Sequence, residues 1–444
     1  MAMHRARLAA CMTACLIPCL AALCMTLPFA AHAEDLLQVY QQARNADPVL
    51  AGADAARMVV REGVTLARAP LLPQAQAGVA YDQTHVAADG ATSNSSRAVS
   101  ANLNQVLVDV SRLSQLRSAQ ALADAQDATY RAAEQALCAR VAQAYFDVLT
   151  AEDALTTVMA NEDAFRQQVE QSDQRFRNGL TASVDVEQAR AYHARARAAT
   201  IRARQALADA REALTEITGQ PVGSLRTLRD DLPLVPPSPA EPQAWVDVAL
   251  NQNPTLQAQQ RGIAAADEDI AAARAGHLPT LNAALGVGRN AGWPVPTSST
   301  DGRNVTTVGV TLNVPLFAGG ATQSLVRQAL HRRDGARDEL ELRRRRVARE
   351  TLAQYRSVQA GIGQIEATRV AVDSARKALA STRIGQGLGT QTMTDLLLAI
   401  QTLAGAQDAY SQARHQFILS RLLLQQAVGA IGETDLAAVN TLLQ

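Results

Sequence analysis

Residues 45–56, NADPVLAGADAA, return as NQNPTLQAQQRG at 251–262, and residues 67–74, ARAPLLPQ, return as ARAGHLPT at 273–280. Pro48 and Pro254 stand 206 positions apart, as do Pro73 and Pro279, while Leu103-Asn104 and Leu312-Asn313 stand 209 apart. Gly179 and Gly389, Asp185 and Asp395, and Gly219 and Gly429 are each separated by 210. A register held across half a chain marks internal duplication, so any fold assigned to one half must serve the other. The copies meet at DDLPLVPPSPAEPQ (230–243), whose five prolines cannot occupy a helix interior. The expected division is therefore a first repeat over 34–229, a linker over 230–243 and a second repeat over 244–444.

Each copy reads as short helices, two strands and two long helices. Leu281, Ala283, Leu285 and Val287 alternate with Asn282, Ala284, Gly286 and Gly288, a period of two, and Val308, Val310, Leu312 and Val314 do the same. In the first copy Ala75, Ala77, Val79 and Tyr81 form one strand face and Val99, Ala101 and Leu103 another. Polar loops are expected at 82–96 and 289–304. The period then becomes helical: Leu137, Val141, Ala144, Val148, Ala151, Leu155 and Val158 step by four and three, as in a coiled-coil seam. Tyr355, Val358, Ile362 and Ile365 repeat it. No breaker interrupts 112–177, which predicts a helix about 100 Å long. Such a rod requires an extended assembly, and the low aromatic content (3%) argues for packing through small side chains rather than one large core.

Residues 1–33 carry Arg5 and Arg7, an apolar run and the small-residue end Ala31-His32-Ala33, so they read as an export signal. Leu23 before Cys24 disfavours a lipid-attachment site. Cys11, Cys15, Cys19 and Cys24 fall within the signal; Cys138 remains, most simply as buried packing, with a reactive thiol as the alternative. No later apolar run reaches the roughly 20 residues of a spanning helix. Lys+Arg and Asp+Glu are both 42, which gives no basis for nucleic-acid binding. His85, His193, His277, His331 and His415 lack metal-ligand spacing, no ordered catalytic set stands out, and GQGLG (385–389) lacks a dinucleotide-site pattern. The reading is of a non-enzyme without metal or cofactor. RRRR (343–346) reads as a solvated helix face balanced by Glu339, Glu341 and Glu350.

Strands with one apolar and one small or polar face suit an outer-membrane barrel, and they equally suit a half-buried sheet in a soluble protein. Four strands cannot close a barrel, and an open edge cannot stay in lipid, so a membrane location requires several chains to share one barrel. LLQVYQQARNADPVL (36–50), the two ARA…LP segments, VPLFAGG (314–320) and RFRNGLTASVDVEQARA (175–191) together resemble the TolC-like outer-membrane efflux proteins over essentially the whole mature chain. The resemblance implies a mixed fold: a homotrimer with a 12-stranded β-barrel in outer-membrane lipid, four strands per chain, continued by a long α-helical periplasmic barrel. It also implies an exit duct for drugs or exported proteins, a periplasmic adaptor, and an inner-membrane transporter of the RND or ABC type. An exported coiled-coil tether of the envelope is the alternative, although it leaves the duplicated strands unexplained. A periplasmic adaptor would need a compact lipoyl-like β-domain, which is not evident.

The resemblance places the pore mouth at the turns FRNGLTASVDV and IGQGLGTQTMTDLL. Asp395 is then a candidate ring acid, three copies of which would repel one another and attract cations. Leu398 stands where the best-known relative has a second acid, and Gln386 and Gln391 where a Tyr and an Arg help latch the mouth. Neutral amides form weaker links, so the expectation is a differently held gate with weaker divalent-cation block. The other reading of Asp395 is helix capping, and Asp185 is read as a cap or interhelical link.

Overall fold

The computed structural model describes residues 33–86 and 92–444. The predicted export signal, apart from Ala33, lies outside the described residues, as does the tip of the first predicted loop. Two short helices, α1 (Leu36–Ala46) and α2 (Pro48–Arg68), precede strands β1 (Gln74–Val86) and β2 (Thr92–Val108). Helices α3 (Val110–Arg177) and α4 (Ser183–Thr218) follow. The order then repeats as α5 (Pro242–Gln252), α6 (Pro254–Arg274), β3 (Thr280–Trp293), β4 (Asn304–Asn313), α7 (Ala321–Gly387) and α8 (Met393–Val428), and α9 (Glu433–Asn440) ends the chain.

The residues that kept register hold equivalent joints. Pro48 and Pro254 are the first residues of α2 and α6, after the capping residues Asp47 and Asn253. Gly179, Gly219, Gly389 and Gly429 all have φ between 71° and 84°, and each follows the end of a long helix. At Gly429 an added Cβ would also lie 2.7 Å from the Asn253 Cα, so only glycine fits. Helix α3 runs 68 residues, about 100 Å, as the unbroken pattern predicted.

The four strands form one antiparallel sheet in the order β1-β2-β3-β4. Cross-strand pairing puts Ala75, Leu103, Leu285 and Val308 in one row, and Ala77, Ala101, Val287 and Thr306 in the next. Asn102 faces Gly286, and Ser100 faces Gly78, on the opposite face. One face is thus apolar and the other small or polar. The apolar face is open: Val79 is 80% exposed and Val308 77%. The loop predicted over 82–96 is corrected. Asp82 through Val86 pair with Ser96 through Thr92, so the ladder extends into polar sequence. Backbone pairing does not require apolar side chains, and a strand can continue where both faces meet water. The second loop likewise contracts, with β3 reaching Trp293.

The main core lies partway along the long helices. Leu137, Val141 and Val148 of α3 meet Tyr355 and Val358 of α7 and Phe417, Ile418 and Leu422 of α8, enclosed by α1 and α9. The seam narrows from there, because Ala151, Leu155 and Val158 are only partly buried. Tyr145 and Tyr355 occupy equivalent seam positions. Tyr145 Oη donates to the Glu34 and Arg226 carbonyls, and Tyr355 Oη to that of Ala240, tying flanking segments to both helices. Cys138 is buried beside Tyr40, and burial pushes its thiol above the ordinary range, which favours the packing role. In RRRR, Arg343 pairs with Glu339 (3.0 Å) and Arg345 with Glu341 (2.8 Å), whereas Glu350 pairs with Arg349 rather than with the cluster.

His415 is buried against Phe146. Thr150 Oγ1 donates to the Phe146 carbonyl (2.7 Å), which leaves it to accept from the imidazole Nδ1 (2.9 Å). Burial pushes the imidazole down to about 4, against the pull of Asp153. An unfolded chain takes up a proton near pH 6.5 that the folded chain refuses, so stability falls as the pH drops from there toward 4. Between pH 6.5 and 5 the expected loss is on the order of 2 kcal/mol. Thermal unfolding at pH 7 and pH 5 should show a smaller shift in His415→Gln than in the parent chain.

Candidate functional site

At the ends of α3 and α7 the chain reverses through matched turns. Leu180 N donates to the Arg175 carbonyl and Gly179 N to that of Phe176; Thr390 N donates to Gly385 and Gly389 N to Gln386. Both are Schellman closures, in which a residue of positive φ lets the last amides return to the helix's orphan carbonyls. An added Cβ on Gly385 would lie 2.6 Å from the Gln391 Cγ, so the second turn folds the Gln391 stem over a bare backbone.

The copies differ in how the next helix starts. Thr392 caps α8: its Oγ1 accepts from Asp395 N (3.1 Å), while its backbone N–H and its hydroxyl donate to Asp395 Oδ2 (2.9 and 2.6 Å). These bonds hold the Asp395 carboxyl below the usual carboxylate range, with the Thr392 hydroxyl the larger cause. Among the described residues they engage Oδ2 alone, and the side chain is exposed. In the first copy Ala182 takes the cap position and supplies no side-chain bond, and the Thr181 hydroxyl donates to Asp185 instead. Both acids therefore have capping-type contacts. Asp395 and Leu398 lie three residues apart on one helix face, and Leu398 is 54% exposed although its neighbours Leu396 and Leu397 are buried. Gln386 is half-buried, and neither its amide nor that of Gln391 forms a side-chain hydrogen bond among the described residues.

Several residues that hold the turns together were not singled out from sequence. Phe165 of α3, Ala196 of α4, Leu379 of α7, and Met393, Leu396, Leu397 and Ile400 of α8 form one buried cluster, so all four long helices meet there. Thr394 Oγ1 donates to Gln188 Oε1 (2.9 Å), linking the start of α8 to α4. Asp173 near the end of α3 pairs with Arg177 (2.6 Å) and, across the turn, with Arg190 of α4 (3.5 Å). The available signal was the apolar spacing of Met393, Leu396, Leu397 and Ile400, a helical stripe directly after the break. The arrangement provides charge, an exposed apolar residue and a packed hinge.

The chain matches the family model for outer membrane efflux protein over residues 39–220 and 245–430. It is 36% identical over 418 residues to outer membrane protein TolC of Vibrio cholerae serotype O1, covering 94% of this chain and 95% of the relative. It is 28% identical over 340 residues to the alkaline protease secretion protein AprF of Pseudomonas aeruginosa, covering 76% and 70%. Among solved structures, a CusC channel described in terms of folding and transmembrane channel formation superposes with a TM-score of 0.80 at 18% identity, over 90% of this chain and 93% of that one.

Proposed function

The chain belongs to the outer membrane efflux protein family, an outer-membrane exit duct rather than an enzyme, and from that premise we propose how its geometry performs conduction. Three copies share one 12-stranded barrel, each contributing β1 to β4, and the long helices continue its wall through the periplasm. The observation that carries this reading is the sheet, which has an apolar face, a small or polar face and two unpaired edge strands among the described residues. An apolar face suits lipid and a polar face suits water, while the free edges of β1 and β4 are satisfied only when a neighbouring copy completes the ladder. Repeats over 34–229 and 244–444, joined by 230–243, give each copy two hairpins of strand and two of helix.

A periplasmic adaptor joins this duct to an inner-membrane transporter of the RND or ABC type, which supplies the energy. The cargo is drugs or exported proteins, conducted passively. At the mouth, Asp395 from three copies forms one acidic ring, with Oδ1 free to face the passage while Oδ2 keeps the cap. Leu398 leaves that ring without a companion, Asp185 serves the adjoining turn, and Gln386 and Gln391 leave the latch to packing and to Thr394–Gln188.

Single-channel recording in planar bilayers tests this assignment. Multivalent cations added on the helical side should block weakly, and Asp395→Ala should remove the block. Leu398→Asp should strengthen it, because a second ring would add three carboxylates one turn away. Strong block that survives Asp395→Ala would overturn the ring.

A further inference from the structure

Near its hairpin end the apolar face of the sheet is crossed by a band of hydrogen-bond donors, beyond which Ala291 and the exposed Trp293 continue on the same face. Tyr81 of β1 pairs with Arg97 of β2, Val99 of β2 with Arg289 of β3, and Arg289 with Asn304 of β4. By strand alternation these residues share the face of Val79, Leu285 and Val308. The Arg97 guanidinium lies 5.9 Å from the Tyr81 ring centre, which fixes both on that face. The band lies toward the hairpin ends of the sheet, since α3, α6 and α7 join the strands at the opposite end.

Two like charges here are costly unless something answers them. Arg97 is opposite Ala291, two residues from Arg289, so the arginines are diagonal neighbours with their Cα atoms about 7–8 Å apart. Neither forms an ion pair among the described residues. The neighbouring Asp82 falls on the opposite face, and Asp301 accepts from Gly292 N and Thr297 within the second hairpin. The charges sit on the two central strands, so the edge pairing of a barrel leaves them uncovered.

We propose that Tyr81, Arg97, Arg289 and Asn304 form a binding site for the phosphorylated headgroup of an outer-leaflet glycolipid of the lipid A type. The proposal rests on the reading of the sheet as a barrel wall. The helices then mark the periplasmic side, so the donor band lies at the outer-leaflet boundary. A phosphate placed between the guanidiniums accepts from both in the planar, two-pronged geometry that arginine offers. Tyr81 and Asn304 add donors on either side, and the acyl chains lie against the apolar rows below. Phosphate thereby removes the repulsion between Arg97 and Arg289.

The test is native mass spectrometry of the full chain in detergent, using bisphosphorylated lipid A, its dephosphorylated form, and inorganic phosphate as competitor. Wild type should retain bisphosphorylated lipid A, and the dephosphorylated form should bind at least about tenfold more weakly. R97Q/R289Q should show the same loss while keeping its oligomeric state and bilayer conductance. Equal retention by R97Q/R289Q, or displacement of the lipid by inorganic phosphate at the lipid's own concentration, would overturn the site. A wild-type chain that neither oligomerises nor conducts removes the barrel reading itself, and this site with it.

Discussion

Arginine in place of Leu285 or Val308 is expected to abolish assembly in the outer membrane, whereas arginine one residue away, at Ala284 or Thr307, is expected to be tolerated. Leu285 and Val308 are paired neighbours in the middle of the apolar face. A charge there costs about 2–4 kcal/mol when the face meets lipid near the bilayer midplane, a factor of roughly 30 to 1,000 in the folding equilibrium. Every chain of the assembly carries the same penalty. Ala284 and Thr307 point to the other face, where an arginine remains in water. Heat-modifiable migration of the outer-membrane fraction reads the outcome. Equal tolerance on both faces would contradict the barrel.

The second large effect is expected at the helix turns. Leu397 is fully buried in the cluster that joins α3, α4, α7 and α8. In the gate proposed above, moving one helical hairpin away from the other to open the mouth would break that cluster and the Thr394–Gln188 bond. Leu397→Ala removes about 2–5 kcal/mol of packing from this arrangement, which in the proposed gate would shift the equilibrium toward the open mouth by a factor of at least about 30. Single-channel conductance or open probability should rise accordingly. Leu424→Ala in the main core is the comparison, since it loses similar packing far along α8 from the turn. If the two variants conduct alike, the cluster is not the latch.

The parts of this molecule that were legible in sequence are those where backbone geometry leaves little choice. Gly219 and Gly429 repeat because a left-handed residue must end each long helix, and Pro48 and Pro254 because a proline fits the first helical turn. Strand ends were not legible. Asp82 to His85 are polar in sequence, but their ladder bonds are made by the backbone, which the side-chain pattern does not report. At the turns, Asp395 and Asp185 stood out as acids repeated between the copies, yet their immediate bonds to Thr392 and Thr181 serve helix starts. Thr394–Gln188 and the Phe165–Leu397 cluster depend on how two hairpins approach each other, and that approach follows from tertiary packing rather than from any local spacing. Tyr355 carried a signal as a seam position, whereas Tyr145, 210 residues before it, was not singled out, and the hydroxyl partners of both are backbone carbonyls of non-helical segments.

In the proposed duct, four strands per chain make a lipid-embedded wall only in company with two further copies. Native mass spectrometry of the full chain extracted from outer membranes measures that stoichiometry directly. Three chains per particle, dissociating to monomers on heating, is the predicted result. A monomer recovered from the soluble periplasmic fraction would contradict it.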